Sequence, residues 1–410
     1  MMASITAAQN GANVLLLEKM DRPGNKILVS GGGRCNLTNK ASLQILSKSF
    51  GTRSSFVKHA LADFTSKDLM SFFEDNGLQT FSPDGFHIFP TSQKSRDVLQ
   101  TLQDMCSKLS VKIKTGESVE SIAFQDNAWI VKAKGDQSFR SKALILACGG
   151  KSYPGIGGGD SGYELAQSIG HSIIAPLPAL SPVHVQSSLP QMCVGLSLSS
   201  VELVLKCENS IITRTRGDFL FTHTGISGPA VLDISTWVSR ALSERKQCTL
   251  SLIPDPGKND QIWTNLFVTW QQKEGSKSIG TLLSTFFPSR LAKALLFLCN
   301  LNEKTRAADF NKQQRQRITN LLSRGIPLPV ISVEGFQKAM VTTGGVECSE
   351  VNPRTMQSRK NEKLFLCGEV LDVDGPCGGY NLQWAFSSGR LAGKNAAIMS
   401  SEKPESLNLG

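Results

Sequence analysis

The chain lacks most of the marks that would settle its chemistry at a glance. None of its ten cysteines forms a C-x-x-C pair and no zinc pattern is present. The five histidines, at 59, 87, 171, 184 and 223, are too dispersed for metal-ligand spacing, so no metal is expected. No apolar run reaches membrane-spanning length, so no membrane partner is expected either. The first residues have neither the basic segment nor the continuous apolar stretch of a signal peptide. The net charge is +10, yet no Lys/Arg block stands out. Scattered basic residues argue for a solvated surface rather than a nucleic-acid groove. Several cysteines lie in apolar runs and read as reduced, buried small hydrophobes of a reducing compartment. That places the protein in the cytoplasm, or in an organelle if a transit peptide preceded the first residue.

One more absence shapes everything that follows. Met1 to Gln9 have the pattern of a helix, Gly11 its stop, and Val14 to Leu17 a buried parallel strand with Glu18 at its carboxyl end. In a dinucleotide-binding fold that acidic residue takes the adenosine ribose hydroxyls. The strand and G-x-G-x-x-G loop expected immediately before such a helix, roughly a dozen residues, are missing.

What is present describes an ordinary globular chain. At 410 residues with 40% hydrophobic and 19% charged content, it can build two or three domains with proper cores. Ser30-Gly-Gly-Gly-Arg-Cys-Asn-Leu-Thr-Asn39 offers successive backbone N–H groups for an anion-binding nest, and Arg34 can hold a pyrophosphate bidentately. The spacing predicts one helix over Ser54 to Asn76, a hairpin around Pro83-Asp84-Gly85, a second helix from Ser92 to Leu109, and a four-strand meander over residues 111–140. Ala143 to Cys148 form an apolar strand ending at Gly149-Gly150, as expected below a dinucleotide. Gly157-x-Gly159-x-x-Gly162 matches a dinucleotide pattern formally, but lies too far from the preceding strand and reads as a covering loop.

From Pro176 short β-like runs follow at 183–186, 201–206, 211–214, 219–222 and 248–253, with a helix opened by Pro229. Residues 261–325 read as helical and packed, without chemistry. Near the end, Leu364 to Cys367 form a buried strand, Gly368 to Gly379 an acidic Gly-rich turn, and a helix starts at Tyr380. The N-terminus of that helix suits an anionic or electron-rich ligand.

Five spaced motifs together resemble one family: Ser30 to Asn39, Gly149 to Pro154, Phe221 to Pro229, Val341 to Val346, and Gly368 to Gly375 with Gly378 to Asn381. They are similar to the BaiN-type NAD(P)/FAD-dependent oxidoreductases, also labelled aminoacetone oxidase-like flavoproteins. The resemblance implies an α/β fold with a two-dinucleotide-binding-type FAD domain, interrupted by a β-barrel-like domain and a helical insert. The FAD domain would span residues 1–175 and 341–400, the barrel 176–258 plus 326–340, and the insert 259–325.

By that resemblance Glu18 would hold the adenosine ribose. Lys26 and the Ser30, Gly31, Gly32, Gly33, Arg34, Cys35 and Asn36 loop would line flavin and pyrophosphate, with Gly149 and Gly150 beside them. Gly368 and Glu369 would bind the ribityl phosphate region. Asp374, Gly375, Gly378, Gly379, Tyr380 and Asn381 would bring the last helix to the flavin pyrimidine edge, where N1 and O2 gain negative charge on reduction. FAD is the implied cofactor, NADH or NADPH the transient electron donor, and a small molecule or oxygen the acceptor. No catalytic acid or base is legible; His223, Tyr380, Cys35 and Cys377 are candidates, each with a structural reading beside it. Two other readings stand open: a flavin-binding module serving RNA modification, suggested by the charge, and a cofactor-free interaction fragment, suggested by the missing loop. Substrate and oligomeric state are not legible.

Overall fold

The computed structural model describes residues 1–208 and 210–401. The chain divides into two compact units, one of Met1–Leu177 together with the chain from Ala339 onward, the other of Pro178–Lys338.

In the first unit, β1 (Leu15–Glu18) follows α1 (Met2–Gln9), and α2 (Asn25–Val29) opens the loop to β2 (Thr38–Asn39). Then come α3 (Leu43–Lys48), α4 (Ser54–Asp63), α5 (Ser66–Asp75), β3 (Thr80–Phe81), β4 (His87–Pro90), α6 (Ser95–Lys108) and β5 (Lys112–Thr115). Strands β6 (Val119–Gln125), β7 (Ala128–Ala133) and β8 (Gln137–Ser141) form an antiparallel meander. They lead to β9 (Leu144–Leu146), α7 (Ser161–Ser168) and β10 (Ile173–Ala179). The expected fourth meander strand is instead β5, paired parallel with β1 from Leu15↔Lys112 to Glu18↔Thr115. Because α6 separates β4 from β5, the chain has the length needed to return in parallel register.

The second unit contributes β11 (Val183–Val185), α8 (Leu189–Met192), β12 (Ser197–Cys207), β13 (Ser210–Phe221), β14 (Gly225–Ser227), α9 (Pro229–Ser243) and β15 (Cys248–Ile253). Next come α10 (Asp260–Lys273), α11 (Ile279–Leu283), α12 (Ser289–Leu298), α13 (Lys312–Arg324) and β16 (Ile326–Val333). Six strands close a barrel in the order β11-β14-β13-β12-β15-β16. The runs at 211–214 and 219–222 are one strand, β13, because the pairing with β12 continues past Gly217 through a register shift. Helices α10 to α13 are an excursion between barrel neighbours β15 and β16. Their Trp263, Phe267 and Leu295 join Leu203, Leu205 and Leu250 of the strands in one apolar cluster.

The cysteines depart from expectation in this unit. Cys207 and Cys248 are cross-strand partners on β12 and β15, 4.3 Å apart at Cα, and form a disulfide. Sequence spacing could not show it, since register alone brings the two residues opposite one another. The other eight cysteines are free thiols.

The chain then returns to the first unit through β17 (Val341–Val346), which pairs with β10, β18 (Leu364–Leu366), and α14 (Tyr380–Ser401). Strand β18 pairs parallel with β9, Leu364↔Leu144 to Leu366↔Leu146. The parallel strands therefore stand as two pairs, β5-β1 and β9-β18, not hydrogen-bonded to one another. This corrects the expectation of a fully buried β1. Leu15 is 39% exposed, whereas Leu364, Phe365 and Leu366 are fully buried. The difference follows the edges, because β18 also bridges Gln357 on its far side while β1 pairs, among the described residues, with β5 alone.

Helix α14 organises this unit. Its Trp384 lies in an apolar cluster with Phe50 and Phe365, and its Phe386 in a second with Ile5 and Phe73. Helix α1 crosses it so closely that a Cβ on Gly393 would stand 2.2 Å from the Ala3 carbonyl oxygen. The helix expected over Ser54 to Asn76 is broken at Phe64, and α14 is the reason. Gln383 Nε2 and Ser387 Oγ both donate to the Phe64 carbonyl, at 2.9 and 2.7 Å, which ends α4 there. Thr65 then starts α5 with a reciprocal capping box to Asp68.

Candidate functional site

The carboxyl ends of parallel strands are where α/β sheets bind ligands. Here that edge carries Glu18 after β1, Cys148-Gly149-Gly150 after β9, and Gly368-Glu369 after β18. Glu18 is half-buried and accepts the Met20 N–H at 2.9 Å, which fixes its carboxylate at the strand end. The Gly368 peptide is held from both sides by α14. Its N–H donates to Ser388 Oγ at 3.0 Å, and its carbonyl accepts Trp384 Nε1–H at 3.2 Å.

Glu369 lies in a connected polar network. Lys26 Nζ donates to Glu369 Oε2 at 2.5 Å and to Ser152 Oγ at 2.6 Å. Glu369 Oε1 accepts the Thr342 N–H at 2.7 Å and the Ser152 hydroxyl at 3.2 Å. Thr342 Oγ1 in turn accepts the N–H groups of Lys151 and Ser152, at 2.8 and 3.1 Å. The Lys26 loop, the turn after β9, β17 and the turn after β18 are thus one constellation. Gly150 packs into it, a Cβ there meeting Thr342 Oγ1 at 2.6 Å.

A second constellation gathers at the N-terminus of α14. Asn39 and His87 are cross-strand partners on β2 and β4. Asn39 Nδ2 donates to the Gly378 carbonyl at 2.9 Å. The His87 ring stands beside Gly378, where a Cβ would lie 3.0 Å from Nε2, while Nδ1 is 2.5 Å from Asp84. The Asp84 carboxyl is held well below its usual range, first by that histidine and then by the N–H groups of Phe86 and His87. Gly379 has φ +86° and lies on the Thr38 backbone, 2.7 Å from where its Cβ would be. Asn381 closes the acidic turn: its Oδ1 accepts the Gly375 N–H and its Nδ2 donates to the Gly375 carbonyl, both at 2.8 Å. Asp374 accepts the Thr343 hydroxyl at 2.7 Å, and buried Asp372 pairs with Arg53 and takes the Gly344 N–H.

The Ser30–Asn36 loop follows the helical turn α2 and begins as a 3-10 turn over Ser30–Gly33, not as open loop. Gly31, Gly32 and Gly33 all have positive φ. Asn36 is half-buried, and exposed Arg34 stacks its guanidinium 5.1 Å from the centre of the Phe89 ring. Cys35 is fully buried among Leu37, Phe64 and Val98, and burial pushes its thiol up to about 11. That is a packing cysteine, not a thiolate, and it forms no disulfide with Cys377. Tyr380 is buried against Phe50. His223 is exposed in the turn between β13 and β14, in the second unit. The Gly157–Gly162 segment folds onto Lys19, Met20 and Ser152 rather than opening a nest.

Tested against FAD, this edge fits. Gly32, Gly149 and Gly368 have φ of 65°, 76° and 74°, and nothing stands within 4 Å of where their Cβ atoms would be. Gly149 and Gly368, after β9 and β18, and Gly32 in its 3-10 turn therefore leave open backbone, Glu18 ends β1, and the 22-residue α14 starts beside Thr38 and His87. Asn39, His87, Ser152, Thr342 and Ser388 were not singled out from the sequence. Asn39, Ser152 and Thr342 lie inside the motifs quoted above, but side chains that bond groups more than a hundred residues away leave no local signal.

Comparison with known proteins identifies the family. The model of the HI0933-like protein Rossmann domain matches residues 1–395. A 3-dehydro-bile acid Δ(4,6)-reductase of Clostridium scindens is 34% identical over 397 residues, 96% of each chain. A ribosomal RNA dihydrouridine synthase of Escherichia coli is 31% identical over 390 residues, 95% of this chain and 93% of the other. A solved 3-ketosteroid Δ1-dehydrogenase from Sterolibacterium denitrificans shares the fold, with a TM-score of 0.53 at 11% identity over 97% of each chain. The chain belongs to the HI0933-like Rossmann-domain family of FAD-binding oxidoreductases.

Proposed function

We propose that this chain holds FAD on the carboxyl edge of its parallel strands and reduces a carbon–carbon double bond conjugated to a carbonyl. The observation that carries the reading is chemical. A Δ(4,6)-reductase acting on a 3-keto bile acid and a synthase making dihydrouridine both add two hydrogens across such a bond. Both proteins match nearly the full length of this chain.

Bound FAD supplies the two-electron store that takes hydride from a reduced nicotinamide and gives it to the acceptor carbon. The chain's own residues do the holding. Glu18 would accept from the ribose hydroxyls, and the open Gly32, Gly149 and Gly368 backbones would admit the cofactor closely. Ser388 and Trp384 fix the Gly368 peptide, and the Lys26–Glu369–Ser152–Thr342 network locks the two strand-end turns together. The dipole of α14, entering at Gly378–Tyr380, favours negative charge at the pyrimidine edge. His87, held by Asp84 through Nδ1, stands beside the same turn.

Anaerobic stopped-flow tests the reading. NADH or NADPH should bleach the protein-bound flavin band. A 3-keto-4-ene steroid or uridine should then restore it faster than a saturated ketone does, with the reduced product identified by mass. Reoxidation by oxygen alone overturns the C=C reading, and absence of any flavin favours the interaction-fragment reading instead.

A further inference from the structure

We propose that Tyr153 is the proton donor of the reaction, its phenol protonating the carbon next to the carbonyl while the far carbon of the double bond takes hydride. This rests on the C=C-reductase reading above and deepens it, because saturating a conjugated double bond takes a proton as well as a hydride. Cys35 and Tyr380, two candidates from the sequence, are both buried in packing.

Tyr153 stands in a backbone conformation that does not suit it. Its φ of 56° and ψ of 63° are left-handed, which costs an ordinary side chain about 1–2 kcal/mol. Gly or Asn would sit there with less strain. Among the described non-glycine residues with positive φ, Tyr153 alone is aromatic. The bend is imposed from both sides. Before it, the Lys151 and Ser152 N–H groups are held by Thr342 Oγ1. After it, the Tyr153 carbonyl accepts the N–H groups of Ile156 at 3.0 Å and Gly158 at 3.2 Å. Gly158 lies so close that a Cβ on it would stand 2.0 Å from the Ser152 carbonyl oxygen.

Strain of this kind persists where the surroundings over-determine it, and it gathers at working sites. Packing does not account for the ring. Tyr153 is half-buried, yet it belongs to none of the three apolar clusters. Its phenol oxygen has no hydrogen-bond partner among the described residues. Burial raises the phenol above its ordinary value of 10.0, so it carries its proton at neutral pH. Its place in the fold is the strand-end edge. One limb of its turn, Gly150 to Ser152, joins the Glu369–Thr342 network. The other limb reaches the segment just after Glu18, where a Cβ on Gly157 would be 3.1 Å from Met20 Cγ and one on Gly159 3.4 Å from Lys19 Nζ. Tyr153 is the bend between them, in the same turn as the open backbone of Gly149. In the step itself the phenol O–H bond breaks and a C–H bond forms at the α-carbon. Hydride from the bound cofactor reaches the β-carbon, and the phenolate recovers its proton from water.

The test compares the full FAD-loaded chain with Tyr153→Phe, which keeps the ring and the bend and removes only the O–H. Each is photoreduced without air and mixed with a cyclic enone methylated at its α-carbon, or with ferricyanide, which takes electrons but puts no proton on carbon. The variant should be reoxidised by the enone about a hundredfold more slowly and by ferricyanide at the wild-type rate. The wild type should give one enantiomer of the saturated ketone. The variant should give both, because water then protonates either face of the α-carbon. Because the phenol oxygen has no protein partner, melting temperature and FAD affinity should be unchanged. Enone reduction at the wild-type rate with the wild-type enantiomer overturns the proposal. So does an equal loss with ferricyanide, or a lowered melting temperature or FAD affinity, either of which makes Tyr153 structural. A wild-type protein that binds FAD and reduces no enone overturns the reductase reading on which the proposal rests.

Discussion

Replacing Thr342 by valine isolates the contact that joins the two strand-end turns. Thr342 is fully buried, and its hydroxyl oxygen accepts two backbone N–H groups, from Lys151 at 2.8 Å and from buried Ser152 at 3.1 Å. Valine keeps the shape and removes the acceptor, so both donors lose their partner. An unsatisfied buried N–H costs about 1–3 kcal/mol, and the half-buried Lys151 recovers part of its loss from water, giving about 2–4 kcal/mol in all. Thr342→Ser keeps the hydroxyl and deletes one methyl, at about 1 kcal/mol. In a unit of this size 1 kcal/mol moves the unfolding temperature by about 2–4 °C. Valine should therefore fall by about 4–16 °C and serine by about 2–4 °C in calorimetry. Because Gly150 packs into the same network and Glu369 is bonded within it, valine should also weaken FAD binding more than serine does. Equal effects of the two substitutions, in stability and in FAD titration, would refute the assigned role.

Other perturbations follow the same logic. Gly379→Ala forces a side chain into φ +86° and against the Thr38 backbone, so it should cost at least about 2 kcal/mol and lower FAD affinity. A chemical-denaturation midpoint matching that of the wild type would contradict the packing. On the acid side, burial raises Glu350, but Lys360, the Ser172 N–H and His171 outweigh it and hold the carboxyl at about 2, against 4.5 when unfolded. Burial lowers His171 despite its bond to Glu350, so its neutral form is favoured in the fold. Both groups bind more protons when unfolded, so stability is present above their unfolded values and is lost as pH falls, through His171 below about 6.5 and through Glu350 from about 4.5 to about 2. Urea midpoints measured from pH 7 to pH 3 should fall, and Glu350→Gln should flatten the lower part; a flat wild-type profile would contradict this. Finally, the Cys207–Cys248 disulfide closes a loop with a sequence separation of 41 residues, worth about 4 kcal/mol by loop entropy. Denatured protein should titrate eight thiols without reductant and ten with it; ten in both would remove the bridge.

Much of this architecture is written locally and some is not. The final strand, Gly turn and helix are legible because β18 is continuously apolar and α14 starts where the glycines end. The short β-like runs of the second unit are legible between turn residues, whereas their closure into a barrel is implied only by the family resemblance. The break at Phe64 had a visible cause in the Thr65–Asp68 capping pair, but the hydrophobic spacing runs through it, and the contact that ends α4 comes from Gln383 and Ser387, more than three hundred residues away. The half-exposure of β1 depends on which strands flank it, and the Cys207–Cys248 pairing on barrel register. In the site, glycines and Glu18 announce themselves by type and position. Asn39, Thr342 and Ser388 do not, because each acts on backbone that the fold alone brings to it.

The account's central claim is that this chain holds FAD and passes its electrons to a conjugated double bond. The most direct measurement is to titrate the purified chain with FAD, photoreduce it without air, and add one equivalent of an α,β-unsaturated ketone or uridine. The account predicts a stoichiometric, perturbed flavin spectrum and full recovery of oxidised flavin with one saturated product formed per flavin. A chain that never perturbs the flavin spectrum, or a reduced flavin that only oxygen can reoxidise, would contradict it.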